Sequence, residues 1–179
     1  MQAYLEAMQA APFGGPVGPE PVPWVLAALG PRMLRLAAER TLGAHPYFVP
    51  VEHTAHARQT LGPEPFLGVE QAVVFETDAD RARQIARGHT RRYLATENYA
   101  NNLRRLGWAD ADLDSSPGGS DRLVDAVVVW GDLEAIAGRI REHLRAGADH
   151  VCVQVLTAEP NPTAVHESLK RLAPLDWSA

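Results

Sequence analysis

The sequence is poor in cysteine and lysine, with one of each, and it lacks any apolar run long enough to cross a membrane. A lone Cys152 cannot close an internal disulfide. Set in the apolar run of residues 150–156, it reads as a buried core thiol in a reducing cytoplasm rather than as a nucleophile. With Lys170 the single lysine and a formal net charge of -5, no basic run forms a footprint for nucleic acid, which leaves a small organic molecule as the expected partner. The amino end, Met1 to Met8, lacks the positive head and apolar core of a signal peptide. Several motifs are also missing: no Walker loop, G-x-G-x-x-G, H-E-x-x-H, C-x-x-C or G-x-S-x-G.

What remains is an ordinary globular composition, 46% hydrophobic and 22% charged over 179 residues, enough for one domain with a real core across 1–179. Its most informative stretch runs from Trp24 to Phe48. Trp24 to Leu29 is continuously apolar, as in a parallel strand covered on both faces, and Gly30-Pro31 stops it. Pro31 suits the first helical position, where its missing N–H costs nothing. Met33, Leu34, Ala37 and Ala38 form the apolar face of a helix that Gly43 is expected to close with a left-handed cap. A second strand, Ala44 to Val49, completes a βαβ unit, with Pro46 pointing to a short, irregular ending.

The turn between strand and helix carries the first functional expectation. Free N–H groups, the positive end of the helix dipole and the Arg32 guanidinium would face the space beyond the strand's carboxyl end, where α/β proteins bind ligands. An anion, most often a phosphate, suits that place; the alternative is that Gly30-Pro31 only turns the corner and Arg32 is solvated.

Upstream, residues 2–10 look helical without a capping residue, and a Gly/Pro-rich loop from Pro12 to Pro23 follows. Downstream, the pattern predicts a short helix from Glu52 to Thr60 capped by Gly62, a third strand from Phe66 to Glu76, and a long basic helix from Thr77-Asp-Ala-Asp80 to Leu94. Another helix begins at Glu97 and ends at Gly107. The polar stretch Asp110 to Ser120 reads as a mobile loop, and Arg122 to Val129 as an apolar helix capped by Ser120 or Asp121. A helix from Gly131-Asp132 to Gly147, a fourth strand from His150 to Leu156 and a last helix opened by Asn161-Pro162 close the chain.

Seven histidines invite a search for chemistry. His53 and His56, beside Glu52, could bind a metal or form a solvated helix face, the second being the simpler reading. His89, His143 and His166 fall among charged helical residues and read as surface positions. His45 and Tyr47 share one strand face and could line the mouth of a cleft near the turn, or simply pack at a strand end. Gln154, an amide in a valine-rich run, needs either a buried partner or a ligand.

The segments Ala27-Ala-Leu-Gly-Pro-Arg-Met-Leu-Arg-Leu-Ala-Ala-Glu-Arg40, Gly43-Ala-His-Pro-Tyr-Phe-Val-Pro50, Glu70-Gln-Ala-Val-Val74, Asn101-Asn-Leu-Arg-Arg-Leu-Gly107 and Gly147-Ala-Asp-His-Val-Cys-Val-Gln-Val-Leu156 carry a resemblance in their order. Together they resemble the luciferase-like monooxygenase superfamily, and within it the flavin- or deazaflavin-dependent oxidoreductases. The resemblance implies an α/β fold, a partial TIM (β/α)8 barrel of about four parallel strands, corresponding to its second half. It implies coenzyme F-420, or alternatively FMN, with the cofactor phosphate near Leu29, Gly30, Pro31 and Arg32. His45, Tyr47 and Gln154 would then line a substrate pocket. No catalytic acid or base and no metal ligand is implied.

The function expected is therefore hydride transfer or monooxygenation on a small organic substrate, incomplete in this chain, since in the family the first four strands supply much of the wall against the cofactor ring. Exposed strand edges would favour self-association or pairing with the missing N-terminal half. Two other readings stay open: a non-catalytic half barrel that holds a phosphorylated ligand, and a small doubly wound phosphate-binding domain.

Overall fold

The computed structural model describes residues 1–12, 14–15, 22–175 and 177, so most of the Pro12 to Pro23 connection lies outside the described residues. Four parallel strands lie side by side: β1 (Val25–Ala27), β2 (Gly43–His45), β3 (Phe66–Val74) and β5 (His150–Val155). They alternate with α2 (Pro31–Arg40), α3 (Val51–Leu61), α7 (Leu133–Arg145) and α8 (Pro162–Leu172), and α1 (Gln2–Ala10) precedes β1. This is the partial parallel barrel expected from the sequence.

A fifth strand, β4 (Val128–Trp130), was not expected there. The sequence pattern runs the helix through Val129, but α6 (Asp121–Val127) stops one residue before the strand begins. β4 pairs with residues 72–74 of β3. It lies on the same edge as β2, because the Glu70 amide donates to Pro46 O and the Gly131 amide to Val74 O, while Leu67 O and Val73 O serve β5 on the other edge. Between β3 and β4 the chain forms α4 (Ala79–Leu94), α5 (Glu97–Arg105), a 3-10 turn at Asp110–Asp112, and α6.

Two layers cover β3. Leu67, Val69 and Val73 pack against α2, α3, α7 and α8 through Leu34, Ala37, Ala57, Leu61, Ile136, Ile140 and Leu172. Ala72 and Val74, on the opposite face, lie under α4, α5 and α6 through Ala82, Ala86, Leu103, Leu123 and Val124. That second cover reaches only the carboxyl end of the sheet. On β1 the burial alternates exposed, intermediate, exposed, so the continuous apolar run does not mark a strand covered on both faces. Cys152 is exposed on the same uncovered side and is not a core thiol. Its thiol is held above its ordinary range by partial burial and by nearby Glu70.

Local signals fared unevenly. Asn161 caps its helix as read, Ser120 rather than Asp121 caps α6, and Asp132, within the pair read as a helix start, caps α7, each side-chain oxygen accepting an amide three residues on. At α4 the cap is Asp78 rather than Thr77. Gly43 is not a cap: α2 ends at Thr41, whose hydroxyl donates to Ala37 O at 2.8 Å, and Gly43 pairs within the sheet. The Asp110 to Ser120 stretch is tied rather than loose, with Ser120 donating to Asp112 at 2.6 Å and Thr90 to Gly118 O at 2.6 Å.

Candidate functional site

The carboxyl ends of β1 and β2 open on a cleft of about 740 Å³. Gly30 is the N-cap of α2 in extended backbone and Pro31 takes the first helical position, as the sequence implied. Gly30 O accepts from both Met33 N and Leu34 N at 3.0 Å, so the Arg32 amide is the first-turn N–H without an intrahelical partner. The turn therefore offers fewer free amides than expected. A second cation compensates, since Arg105 at the end of α5 lines the same cleft and would lie 3.4 Å from a Cβ added at Gly30. Arg105 was within a segment singled out in the sequence, but nothing local showed that α5 would bring it here.

Leu29, Gly30, Pro31, Arg32, His45 and Tyr47 all line this cleft. His45 donates from Nδ1 to Gly68 O at 2.8 Å, which leaves Nε2 free of that bond. The Tyr47 hydroxyl donates to Gln154 Oε1, so Gln154 has a partly buried partner and joins the cleft through that bond. Burial, above all, raises the Tyr47 phenol, with Tyr93 and Glu70 adding to it; the group stays protonated.

Behind Tyr47 lies a cluster the sequence did not disclose. Tyr93 is 5.1 Å and His89 6.2 Å from the Tyr47 ring, and Phe48 stacks on Tyr93 at 5.0 Å with Tyr99 edge-on at 5.8 Å. Phe48 has φ 57, a costly backbone for a bulky residue. Its amide donates to Glu70 Oε2 at 3.2 Å, and the aromatic packing holds the ring. Glu70 is enclosed on the inner face of β3 beside Cys152, with Oε1 unpartnered among the described residues, and burial pushes its carboxyl up to about 7 despite the Phe48 bond. His89 is also enclosed rather than on the surface, and burial together with nearby Arg92 lowers it to about 4.

Two further histidines read as solvated are buried on the other face of the sheet. His143 donates from Nε2 to Gln71 Oε1 and accepts from Thr54 at Nδ1, both at 2.8 Å, while Gln71 donates to Ala72 O and Val127 O. Burial takes it down to about 3. His53, 1% exposed, donates to Leu29 O at 2.9 Å and so props the loop before Gly30; burial lowers it too. His56, the next turn along α3, is exposed, so the two imidazoles differ in setting, one enclosed on Leu29 O and one in solvent. Among the described residues no group of three or more metal-ligating side chains comes together.

An anionic cofactor fits this arrangement at one end. The helix terminus, the Arg32 amide, two guanidinium groups and a side-chain-free Gly30 present donors of the kind an anion needs, with His45 and Tyr47 as a polar and an aromatic wall beside them. The inner faces of β1 and β5 stay uncovered.

The same architecture recurs in solved structures. A coenzyme F-420 dependent tetrahydromethanopterin reductase from Methanopyrus kandleri superposes with a TM-score of 0.61 at 18% identity, over 86% of this chain and 50% of that one. An F-420-dependent secondary alcohol dehydrogenase, solved with an F-420-acetone adduct, gives 0.61 at 12% identity, over 87% and 49%. The chain thus spans about half the length of the solved structures it matches. No curated protein matches the sequence. Among the described residues no helix is long and apolar enough to cross a membrane. The profile described as luciferase-like monooxygenase matches residues 6–150, most of the chain, and the protein belongs to that family.

Proposed function

We propose that this chain forms the phosphate seat and part of the substrate wall of an oxidoreductase using coenzyme F-420, with FMN as the alternative, acting on a small organic molecule in the cytoplasm. The observation that carries it is the convergence of Gly30, Arg32 and Arg105 on one cleft with His45 and Tyr47. Once bound, such a cofactor supplies a hydride donor or acceptor at its ring. Arg32 and Arg105 hold the anionic end and the α2 terminus orients it. The Gln154 amide fixes the Tyr47 hydroxyl, so that the ring stands as a fixed side wall of the cleft.

Fluorescence titration with F-420 and with FMN tests this. One of them binds, and Arg32→Ala or Arg105→Ala weakens it by about tenfold each, the worth of one charge-assisted contact. Absence of binding by either cofactor, or binding indifferent to both arginines, overturns the seat. A second reading, a half barrel that holds the ligand without turnover, draws on the uncovered inner faces of β1 and β5. Binding without reduction of any carbonyl acceptor would favour it.

A further inference from the structure

Tyr47 lines the first cleft, and its bonding partner Gln154 lines a second one of about 630 Å³ on the other side of the pair, between α4 and the loop after β5. Three observations mark this second cleft as built for a ligand. His89 lines it with Nε2 shielded from solvent and unpartnered among the described residues. Gly88 sits in the interior of α4, a position where glycine weakens a helix, yet an added Cβ would meet nothing within 4 Å. Packing does not account for that glycine. Gln154, whose amide oxygen is taken by Tyr47, has its N–H donors left to offer.

Charge decides what the cleft would accept. Arg81 is held by Glu76 at 3.2 Å, which leaves Arg92 as the cation beside His89 on the α4 wall. Glu159 occupies the opposite lip, and Ile85 and Leu156 form the apolar part. We propose that this cleft binds a small organic carboxylate as the substrate, its anionic end against Arg92 and the Gln154 amide and its apolar body on Ile85 and Leu156, away from Glu159. The assignment rests on the oxidoreductase reading, because the Tyr47–Gln154 pair joins this cleft to the one proposed for the cofactor.

The test uses the full chain without cofactor, so its failure is separate from failure of the phosphate seat. Benzoate and neutral benzamide are titrated while the His89 ring and Gln154 side-chain amide signals are followed by NMR. Benzoate moves both sets of signals and benzamide binds at least about tenfold more weakly. Arg92→Gln, an exposed substitution that spares the fold, removes that preference; Glu159→Gln leaves benzoate binding unchanged or tighter, and Gly88→Leu blocks it. Equal binding of the two probes, shifts confined to Gly30 and Arg32, or indifference to Arg92→Gln overturns the proposal.

Discussion

At Gly43 the backbone of β2 runs so close to β3 that a Cβ there would fall 1.8 Å from Phe66 O and 2.6 Å from Phe66 N. Both atoms belong to the sheet ladder, so neither can step aside without breaking strand pairing. Gly43→Ala is therefore expected to destabilise the chain by about 3 kcal/mol or more, or to prevent folding, in a urea melt. Gly62→Ala, in open space at φ 86, should cost less, only the strain of its backbone angle. The comparison separates a steric glycine from a conformational one. The sequence reading took Gly43 for the conformational kind because it follows a helix, and no local pattern reports how near another strand will pass.

The element scale shows where local chemistry suffices. Gly30-Pro31 and the caps at Asp132 and Asn161 were legible because each interaction spans three or four residues. β4 was not, since three residues following a helix without a break carry no period of their own. The buried histidines escaped for the opposite reason: Gln71 and Thr54, the partners of His143, are far away along the chain. Among elements, β1 is the most exposed strand. Its outer edge has no strand beside it among the described residues, and Met8, Val22, Val25 and Leu42 leave apolar surface nearby. Sedimentation velocity is expected to show self-association at micromolar concentration, relieved by Val25→Lys. A monomer that binds no hydrophobic dye would contradict the open edge.

At the scale of the whole molecule, buried titrating groups oppose one another. His89 and His143, near 4 and 3 in the fold, must be neutral to stay enclosed, so the unfolded chain binds more protons between their folded values and about 6.5. Their contribution is present above pH 6.5 and is lost as pH falls through that window. Glu70, near 7 in the fold, works the other way: the folded chain holds its proton, and stability is lost as pH rises from about 4.5 to 7. Two histidines outweigh one carboxyl, so the melting temperature should fall between pH 6.5 and 4. Glu70→Gln should raise it at pH 8, have little effect near pH 4.5, and steepen the acid slope. A variant no more stable than the parent at pH 8 would show that burial does not raise the Glu70 carboxyl.

The return of β4 to the edge of β3 has one more consequence. Ala72, Val73 and Val74 pair with Val128, Val129 and Trp130, so the segment carrying α4, α5 and α6 leaves and re-enters the sheet at neighbouring points. Such a segment can be traded as a cassette, because its two junctions stay put whatever length lies between them and the entropy of closing it grows only slowly with size. The Arg92 wall travels with the cassette, whereas Gly30, Pro31 and Arg32 stay behind with the barrel. Recombination at these junctions would exchange the α4 wall of the second cleft together with the residues that α5 brings to the first, Arg105 among them, while Leu29, Gly30, Pro31 and Arg32 stay in place.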